Sequence, residues 1–367
     1  MAVWGPPPRL AGMTEPRSPL TQAYAAVRPT YVAFTASLSG VISTIAKAKG
    51  VEVHQIEQRT KELDSFDDKV NREDKLGKYA DFTDVTDLSG IRIITYLPSE
   101  VDLLIRHLRE SMDVDEANSR VVSDEMETDR FGYQSTHLVL SYSAERLALP
   151  DFARFADMKA EIQVRTVLQH AWAAIDWKLR YKNEHETPRP LRRRLFRISA
   201  LLESVDDDFT FLNERISELR EQYENEIKAG ALDIELNLES IQTYLNAETS
   251  DRPAIKRLIG IVDDIPNIQF SEQEGSTQRL ITQLDELGIK TIIQLDKLII
   301  DSLNKNYDDI KKIYREWASL LSVGKTDLNT LTRMVLLLSE PKEVQSKKIA
   351  NMFSVKFREV AKSVLGI

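Results

Sequence analysis

The segments of β-type sequence all lie in the first half of this 367-residue chain, and their distribution constrains the fold more than any other feature. Short apolar or alternating runs predict strands at 51–56, 90–96, 136–142 and 159–164. Apolar residues at helical spacing predict helices at 31–49, 99–111, 166–181 and 189–228. Strands interleaved with helices predict an α+β domain, with a mixed β-sheet flanked by helices.

The remainder of the chain carries almost no β-type sequence. Turn-forming residues beyond Gly230, such as Pro253, Gly288 and Pro341, divide it into helical pieces. The first 19 residues contain five prolines and no sustained apolar run, which indicates neither a signal peptide nor a membrane span. We therefore expect a flexible leader at 1–19, an α+β domain at 20–230 and an all-α domain at 231–367.

The composition excludes several kinds of site. The chain has no cysteine, so it forms no disulfides and no thiolate metal sites, and a cytoplasmic location is the simplest expectation. Any metal must be held by oxygen or histidine ligands. A formal net charge of -9 argues against a protein that coats nucleic acid by bulk electrostatics.

Two segments place acidic groups at strands. Asp87 lies just before the predicted strand at 90–96, and a carboxylate at the mouth of a sheet is a suitable ligand for Mg²⁺. In the segment 161–166, the alternation of a strand places Glu161, Gln163 and Arg165 on one face. A turn aspartate and an edge strand with a solvated polar face are the structural alternatives.

Two further segments carry groups suited to nucleotides. Gly132-Tyr133 is followed by His137 at the start of a predicted strand, and a tyrosine ring can stack on a nucleobase. Between 57 and 78 lie spaced cations, including Arg59, Lys61 and Lys69, which suit a triphosphate. This polar segment lacks an apolar stripe and is not a P-loop, because the Gly-rich signature is missing.

Read in order, these pieces resemble the synthetase domain of the RelA/SpoT family. The similarity covers about 33–213 and includes an Ala-Trp-Ala helix at 171–173 and a Tyr-Lys pair at 181–182. One departure is Asp176-Trp177-Lys178, where many relatives read Glu-His-Lys, and we expect Trp177 to be a packing residue. The resemblance implies a nucleotidyltransferase-like fold and a Mg²⁺-dependent pyrophosphokinase.

The resemblance also implies roles for individual residues. Arg59 and Arg92 would enclose adenine, while Lys61 and Lys69 would bind the phosphates of ATP. Asp87 would hold Mg²⁺, and Glu161 would bind the metal or accept the proton of the attacking 3′-hydroxyl. The acceptor nucleotide would be held by Tyr133, His137, Gln163, Arg165 and His170, with a core position as the alternative for His170.

The acceptor remains open between two classes. GDP or GTP as acceptor would give the alarmone (p)ppGpp. The arginines at 192, 193, 194 and 197 form the densest basic cluster, and some short family members modify the 3′ end of tRNA in phage defence. An inactive synthetase fold used as a binding module is disfavoured, because both Asp87 and Glu161 are present. The helical tail is expected to regulate the enzyme or to form a homo-oligomer.

Overall fold

The computed structural model describes residues 18–75, 77–120, 135–181, 189–246, 252–270, 274–320, 324–352 and 354–367. The chain divides into two compact units, Met1–Leu212 and Asn213–Ile367. This division falls inside a long helix and lies earlier than the boundary expected at 230, since that helix contributes residues to both units. Of the leader expected at 1–19, residues 1–17 lie outside the described residues, and Ser18 and Pro19 belong to the start of a helix instead.

The first unit combines a sheet with helices. Its strands are β1 (Val53–Thr60), β2 (Ser89–Thr95), β3 (Met112–Val114), β4 (Thr136–Tyr142) and β5 (Ala160–Thr166). Its helices are α1 (Pro19–Ala48), α2 (Leu63–Val70), α3 (Pro98–Ser111), α4 (Ala144–Leu147), α5 (Pro150–Ala153), α6 (Val167–Tyr181) and the start of α7 (Arg189–Lys228). The α+β class predicted from the sequence is confirmed.

The sheet is mixed, with strand order β1-β2-β5-β4-β3. Strands β2 and β5 are parallel and adjacent, and the other neighbouring pairs are antiparallel. The connection between β2 and β5 includes α3 and the antiparallel strands β3 and β4. The parallel pair therefore brings the segments after Asp87 and around Glu161 side by side, although they are far apart in the sequence.

The two faces of the sheet have different characters because successive side chains of a strand point in opposite directions. One face forms the hydrophobic core of the first unit and includes Ile91, Ile93, Leu138, Leu140, Ile162 and Val164. The intervening positions include the charged and polar side chains of Glu57, Arg59, Arg92, His137, Glu161, Gln163 and Arg165, together with Gly90, Ile94 and Val139. The candidate site lies on this polar face.

Helix α1 begins at Pro19 rather than at the predicted residue 31. The predicted start was wrong because the helical pattern was followed only from Tyr31, whereas Tyr24 and Val27 continue it towards the N-terminus and Pro29 lies inside the helix. The observed start of α1 has the residues that commonly begin a helix: the hydroxyl of Ser18 caps it, and Pro19 occupies the first turn. By length and composition α1 could also cross a membrane, but its buried residues, including Tyr24, Phe34, Leu38 and Ile42, belong to the core of the first unit.

The second unit is helical apart from two short strands. Besides the end of α7 it contains α8 (Leu238–Tyr244), α9 (Pro253–Ile259), α10 (Glu274–Glu286), α11 (Ile292–Ser319), α12 (Leu328–Leu338), α13 (Lys342–Met352) and α14 (Val355–Leu365). Strands β6 (Ile268–Phe270) and β7 (Gly324–Thr326) form a two-stranded parallel sheet. Helix α12 is buried except at its partly exposed residues 329 and 330, and its apolar side chains belong to a separate hydrophobic core.

Candidate active site

The polar face of the sheet aligns the predicted residues in rows across neighbouring strands. Gly90 on β2 is paired with Arg59 on β1 and with Glu161 on β5. In the next row, Arg92 is paired with Gln163, which is itself paired with His137 on β4. Because Gly90 has no side chain, the surface above it is bordered by Arg59 on one side and Glu161 on the other.

Asp87 lies just before β2 and is bound by two lysines. The Lys61 ammonium donates to Oδ2 at 2.6 Å, and that of Lys69, on α2, donates to Oδ1 at 2.8 Å. Burial alone would raise the pKa of Asp87, but the charges of the two lysines and the hydrogen bonds from them lower it to about 2. Asp87 is therefore a carboxylate at neutral pH.

Lys61 is the more buried of these two lysines, since its side chain is 8% exposed and that of Lys69 is 24% exposed. Burial lowers the pKa of Lys61, and the negative charge of Asp87 opposes this effect. The backbone N–H of Lys61 donates to the carbonyl of Leu88 at 2.8 Å, which fixes the end of β1 against the start of β2. The structure thus places two cations and one carboxylate at one end of the polar face.

Glu161 is the centre of a second group. His137 Nδ1 lies 3.2 Å from Glu161 Oε1, and the Gln163 amide donates to the same oxygen at 2.9 Å. The hydrogen bond from His137 lowers the pKa of Glu161, against the effect of burial. Arg165 extends the group by donating to Gln163 Oε1 at 3.3 Å. Glu161, like Asp87, is therefore ionised at neutral pH.

Arg92 forms a third group with a residue that the sequence analysis did not single out. Its guanidinium donates to Glu57 Oε2 at 2.8 Å. Glu57 lies on β1 two positions before Arg59, so the alternation of that strand was the signal that could have identified it. The predicted polar segment at 57–78 thus begins as an ordered strand, and both Glu57 and Arg59 face the candidate site.

His170, on α6, lies beside this third group. Burial, together with the positive charge of Arg92, lowers the pKa of His170, and Glu57 and His54 are also close enough to affect it. The imidazole is therefore neutral at pH 7. The sequence analysis grouped His170 with the acceptor residues, whereas the structure places it near Arg92, which was assigned to ATP.

The start of α6 is held by contacts that the sequence analysis did not identify. Thr166 and Gln169 form a reciprocal capping box, in which the Thr166 N–H donates to Gln169 Oε1 and the Gln169 N–H donates to Thr166 Oγ1. The Thr166 hydroxyl also donates to the buried Asp206 of α7 at 2.7 Å. A threonine three residues before a glutamine was the available sequence signal.

The described residues contain no group of three or more histidine, aspartate and glutamate side chains that could hold a metal ion. Asp87 and Glu161 nevertheless lie close enough for the charge of Asp87 to oppose ionisation of Glu161. Two carboxylates fit Mg²⁺, which takes its remaining ligands from phosphates and water. Gly132, Tyr133 and Lys182 lie outside the described residues.

The family comparison matches the part of the chain that carries these groups. Residues 58–186 match the family model described as "Region found in RelA / SpoT proteins". This segment of the chain is a RelA/SpoT domain. Glu57 lies one residue before the matched RelA/SpoT region, and α1 lies entirely outside it.

Two curated proteins of Bacillus subtilis (strain 168) are similar to part of this chain. GTP pyrophosphokinase YwaC is 26% identical over 126 residues, which cover 34% of this chain and 55% of YwaC. GTP pyrophosphokinase YjbM is 23% identical over 145 residues, which cover 39% of this chain and 65% of YjbM. The chain thus spans between half and two thirds of the length of each relative.

Solved structures similar to part of this chain include small alarmone synthetase 1 from Bacillus subtilis, which is 20% identical with a TM-score of 0.43. The match covers 54% of this chain and 99% of that structure. The same synthetase bound to its product pppGpp is 22% identical, with a TM-score of 0.43, and that match covers 53% of this chain and 98% of that structure.

Proposed function

We propose that the RelA/SpoT domain is an ATP-dependent pyrophosphokinase that uses GDP or GTP as acceptor and forms (p)ppGpp. The ribose 3′-oxygen of the acceptor attacks the β-phosphorus of ATP. The bond between that phosphorus and the oxygen bridging to the α-phosphorus breaks, so that AMP leaves and the β,γ-pyrophosphate is transferred. The names of the similar Bacillus proteins support this activity.

The observation that carries the proposal is the convergence of Lys61 and Lys69 on Asp87, with Glu161 on the same face. Catalysis of this transfer depends mainly on positioning and charge neutralisation. When a triphosphate binds, the two ammonium groups can move from Asp87 to its oxygens without leaving the site. Arg59 and Arg92, which stand on adjacent strands, are proposed to enclose the adenine ring.

Glu161 is proposed to accept the proton of the attacking hydroxyl. It is ionised, and His137 and Gln163 both bond to Oε1, so that oxygen is held in a fixed orientation. A general base must lie within hydrogen-bonding distance of the proton that it removes. We propose that the acceptor lies over this end of the sheet, with Tyr133 stacked on guanine and Gln163 and Arg165 beside it.

Asp87 and Glu161 would hold Mg²⁺ between them. When bound, the ion would neutralise charge on the transferred phosphates. The carboxylates supply oxygen ligands of the kind that Mg²⁺ prefers, and their number leaves positions for phosphate oxygens and water.

The test is incubation of the protein with γ-³²P-ATP and Mg²⁺ together with GDP, GTP or deacylated tRNA. We expect label on the guanine nucleotide, and none when Asp87→Asn replaces the wild-type protein. Label on a guanine nucleotide that lacks a 3′-hydroxyl would contradict the chemistry proposed here, because no oxygen would be available for attack.

Labelled tRNA with unlabelled GDP and GTP would favour the second candidate, modification of the tRNA 3′ end. The observation that favours it is the exposure of Arg193, Arg194 and Arg197 on α7. Exposed arginines on one helix can bind a phosphate backbone, and such binding weakens steeply with salt. Reversal of the charges at Arg193 and Arg194 should then reduce tRNA labelling and its salt dependence together.

We further propose that the protein is cytoplasmic and that the domain at 231–367 has a regulatory or assembly role. We also propose that the protein forms a homo-oligomer, for which helix α7 offers a surface. Large apolar side chains exposed along α7 are Phe196, Ile198, Leu201, Val205, Phe209, Phe211, Leu212 and Ile216. The first turns of α7 are rich in arginine and its later turns in glutamate, so two antiparallel copies would pair opposite charges. A monomeric wild-type protein in sedimentation at every concentration would exclude this assembly.

A further inference from the structure

The N-terminal turns of α1 contact the backbone that carries Lys61. The hydroxyl of Tyr24, a fully buried residue, donates to the Lys61 carbonyl at 2.7 Å. Arg28 Nε donates to the same carbonyl at 3.0 Å, and its Nη2 donates to Glu62 at 2.5 Å. A single carbonyl therefore receives two donors from one helix, while the Lys61 N–H is bonded to Leu88.

The same turns also hold the helix that carries Lys69. The hydroxyl of Thr21 donates to Asp67 Oδ1 at 2.5 Å, and the backbone N–H of Ser18 lies 3.4 Å from that oxygen. Asp67 lies on α2 two residues before Lys69. The ring of Tyr24 packs against that of Phe66, also on α2, with 4.8 Å between centroids.

Resting on the function proposed above, we propose that residues 18–28 are a positioning element that aims Lys61 and Lys69 at the phosphates of ATP. A lysine side chain is long and flexible, so its ammonium is well placed only when its backbone is fixed. Sites of this kind need side chains held to about 0.5 Å. Since the matched region begins at residue 58, this element lies outside the part of the chain that the family model recognises.

The test is Tyr24→Phe, which keeps the ring and removes only the donor to Lys61. Loss of one hydrogen bond should weaken binding of a non-hydrolysable ATP analogue and lower kcat by about three- to tenfold. The acceptor KM should not change. Tyr31→Phe is the matched control, because Tyr31 is a buried tyrosine on the same helix whose hydroxyl does not bond Lys61. Wild-type analogue binding and kcat in Tyr24→Phe would overturn the proposal.

A double-mutant cycle separates positioning from a general structural effect. In a Lys61→Met background, Tyr24→Phe should cause no further loss of analogue binding, because the side chain that it positions is gone. A further three- to tenfold loss would show that Tyr24 acts on the fold as a whole and would refute the proposal. If Tyr24→Phe does not fold, Arg28→Lys serves instead, since it removes the Nε donor and keeps the charge.

The binding measurements also separate this proposal from the proposed function. A wild-type protein that binds the ATP analogue but labels no acceptor would contradict the pyrophosphokinase, and the cycle would still decide the role of Tyr24. Normal labelling with no effect of Tyr24→Phe or Arg28→Lys would contradict the positioning element alone.

Discussion

Replacement of Asp87 by asparagine should destabilise the first unit by an amount that the structure allows us to calculate. The pKa of Asp87 is lowered from 3.8 to about 2, and one pKa unit corresponds to about 1.36 kcal/mol. The carboxylate is only 17% exposed, so solvent screens its interactions with the lysines weakly. Asp87→Asn should therefore lower the free energy of unfolding by about 2.5 kcal/mol at pH 7.

The direction of the pKa shift determines how this stabilisation changes with pH. Because the pKa is lower in the folded state, the carboxylate stabilises the fold fully above the unfolded value of 3.8, and this stabilisation is lost as the pH falls towards 2. The difference between wild type and variant should therefore be constant from about pH 7 to pH 5 and should fall to about half by pH 3.

Amide hydrogen exchange of peptides from β2 and β5 measures the first unit separately from the second. We expect exchange in Asp87→Asn to be about 60-fold faster than in wild type at pH 7. Asp74→Asn is the control, because its ion pair with Arg72 is 60% exposed on both sides and should contribute nothing measurable. Equal protection of wild type and Asp87→Asn at pH 7, or a difference that persists undiminished at pH 3, would refute the reasoning.

Three further predictions concern the site. Glu161→Gln should lower kcat at least about a hundredfold with the fold retained, as circular dichroism and a rate assay would show together. His137→Phe should move the acid limb of the pH–rate profile to higher pH, because the bond that lowers the pKa of Glu161 is lost; an unmoved limb would exclude Glu161 as the base. Tyr133→Ala should raise the acceptor KM about tenfold or more, with ATP binding unchanged in calorimetry.

Much of the first unit was predictable because its elements are long or strongly periodic. Strand β4 and helix α7 have the predicted bounds, and β2 differs from its prediction by one residue at each end. The three-residue strands β3, β6 and β7 were missed because three residues are too few to establish a period of two. The start of α1 was missed because the apolar pattern was followed only from Tyr31, although Leu20, Tyr24 and Val27 continue it at helical spacing towards Pro19.

The residue types of the candidate site are evident from the sequence, whereas the contacts between them are not. The residue types at 61, 69 and 87 identified two cations and a carboxylate. Their direct pairing depends on how α2 packs beside the start of β2, which no local pattern encodes. The proximity of His170 to Arg92 likewise depends on the packing of α6, and its role toward the acceptor stays a prediction. Glu57 could have been identified from the alternation of β1, because it lies two positions before Arg59 and therefore on the same face of the strand.

The pairing of both Asp87 oxygens with ammonium groups has a consequence for the order in which ligands enter. Lys61 and Lys69 serve as built-in counter-ions, and together with Asp87 they leave one net positive charge. At Asp87 a free divalent cation meets two oxygens that already accept hydrogen bonds from ammonium groups, and Glu161 supplies the nearby negative charge. A polyphosphate would attract both lysines and so expose the carboxylate of Asp87. If Asp87 and Glu161 hold the metal as proposed, its affinity should therefore be higher for the nucleotide-loaded protein than for the free protein. In a titration followed by electron paramagnetic resonance, the protein alone should leave Mn²⁺ free, and protein with ATP should bind more Mn²⁺ than the same concentration of ATP binds without protein.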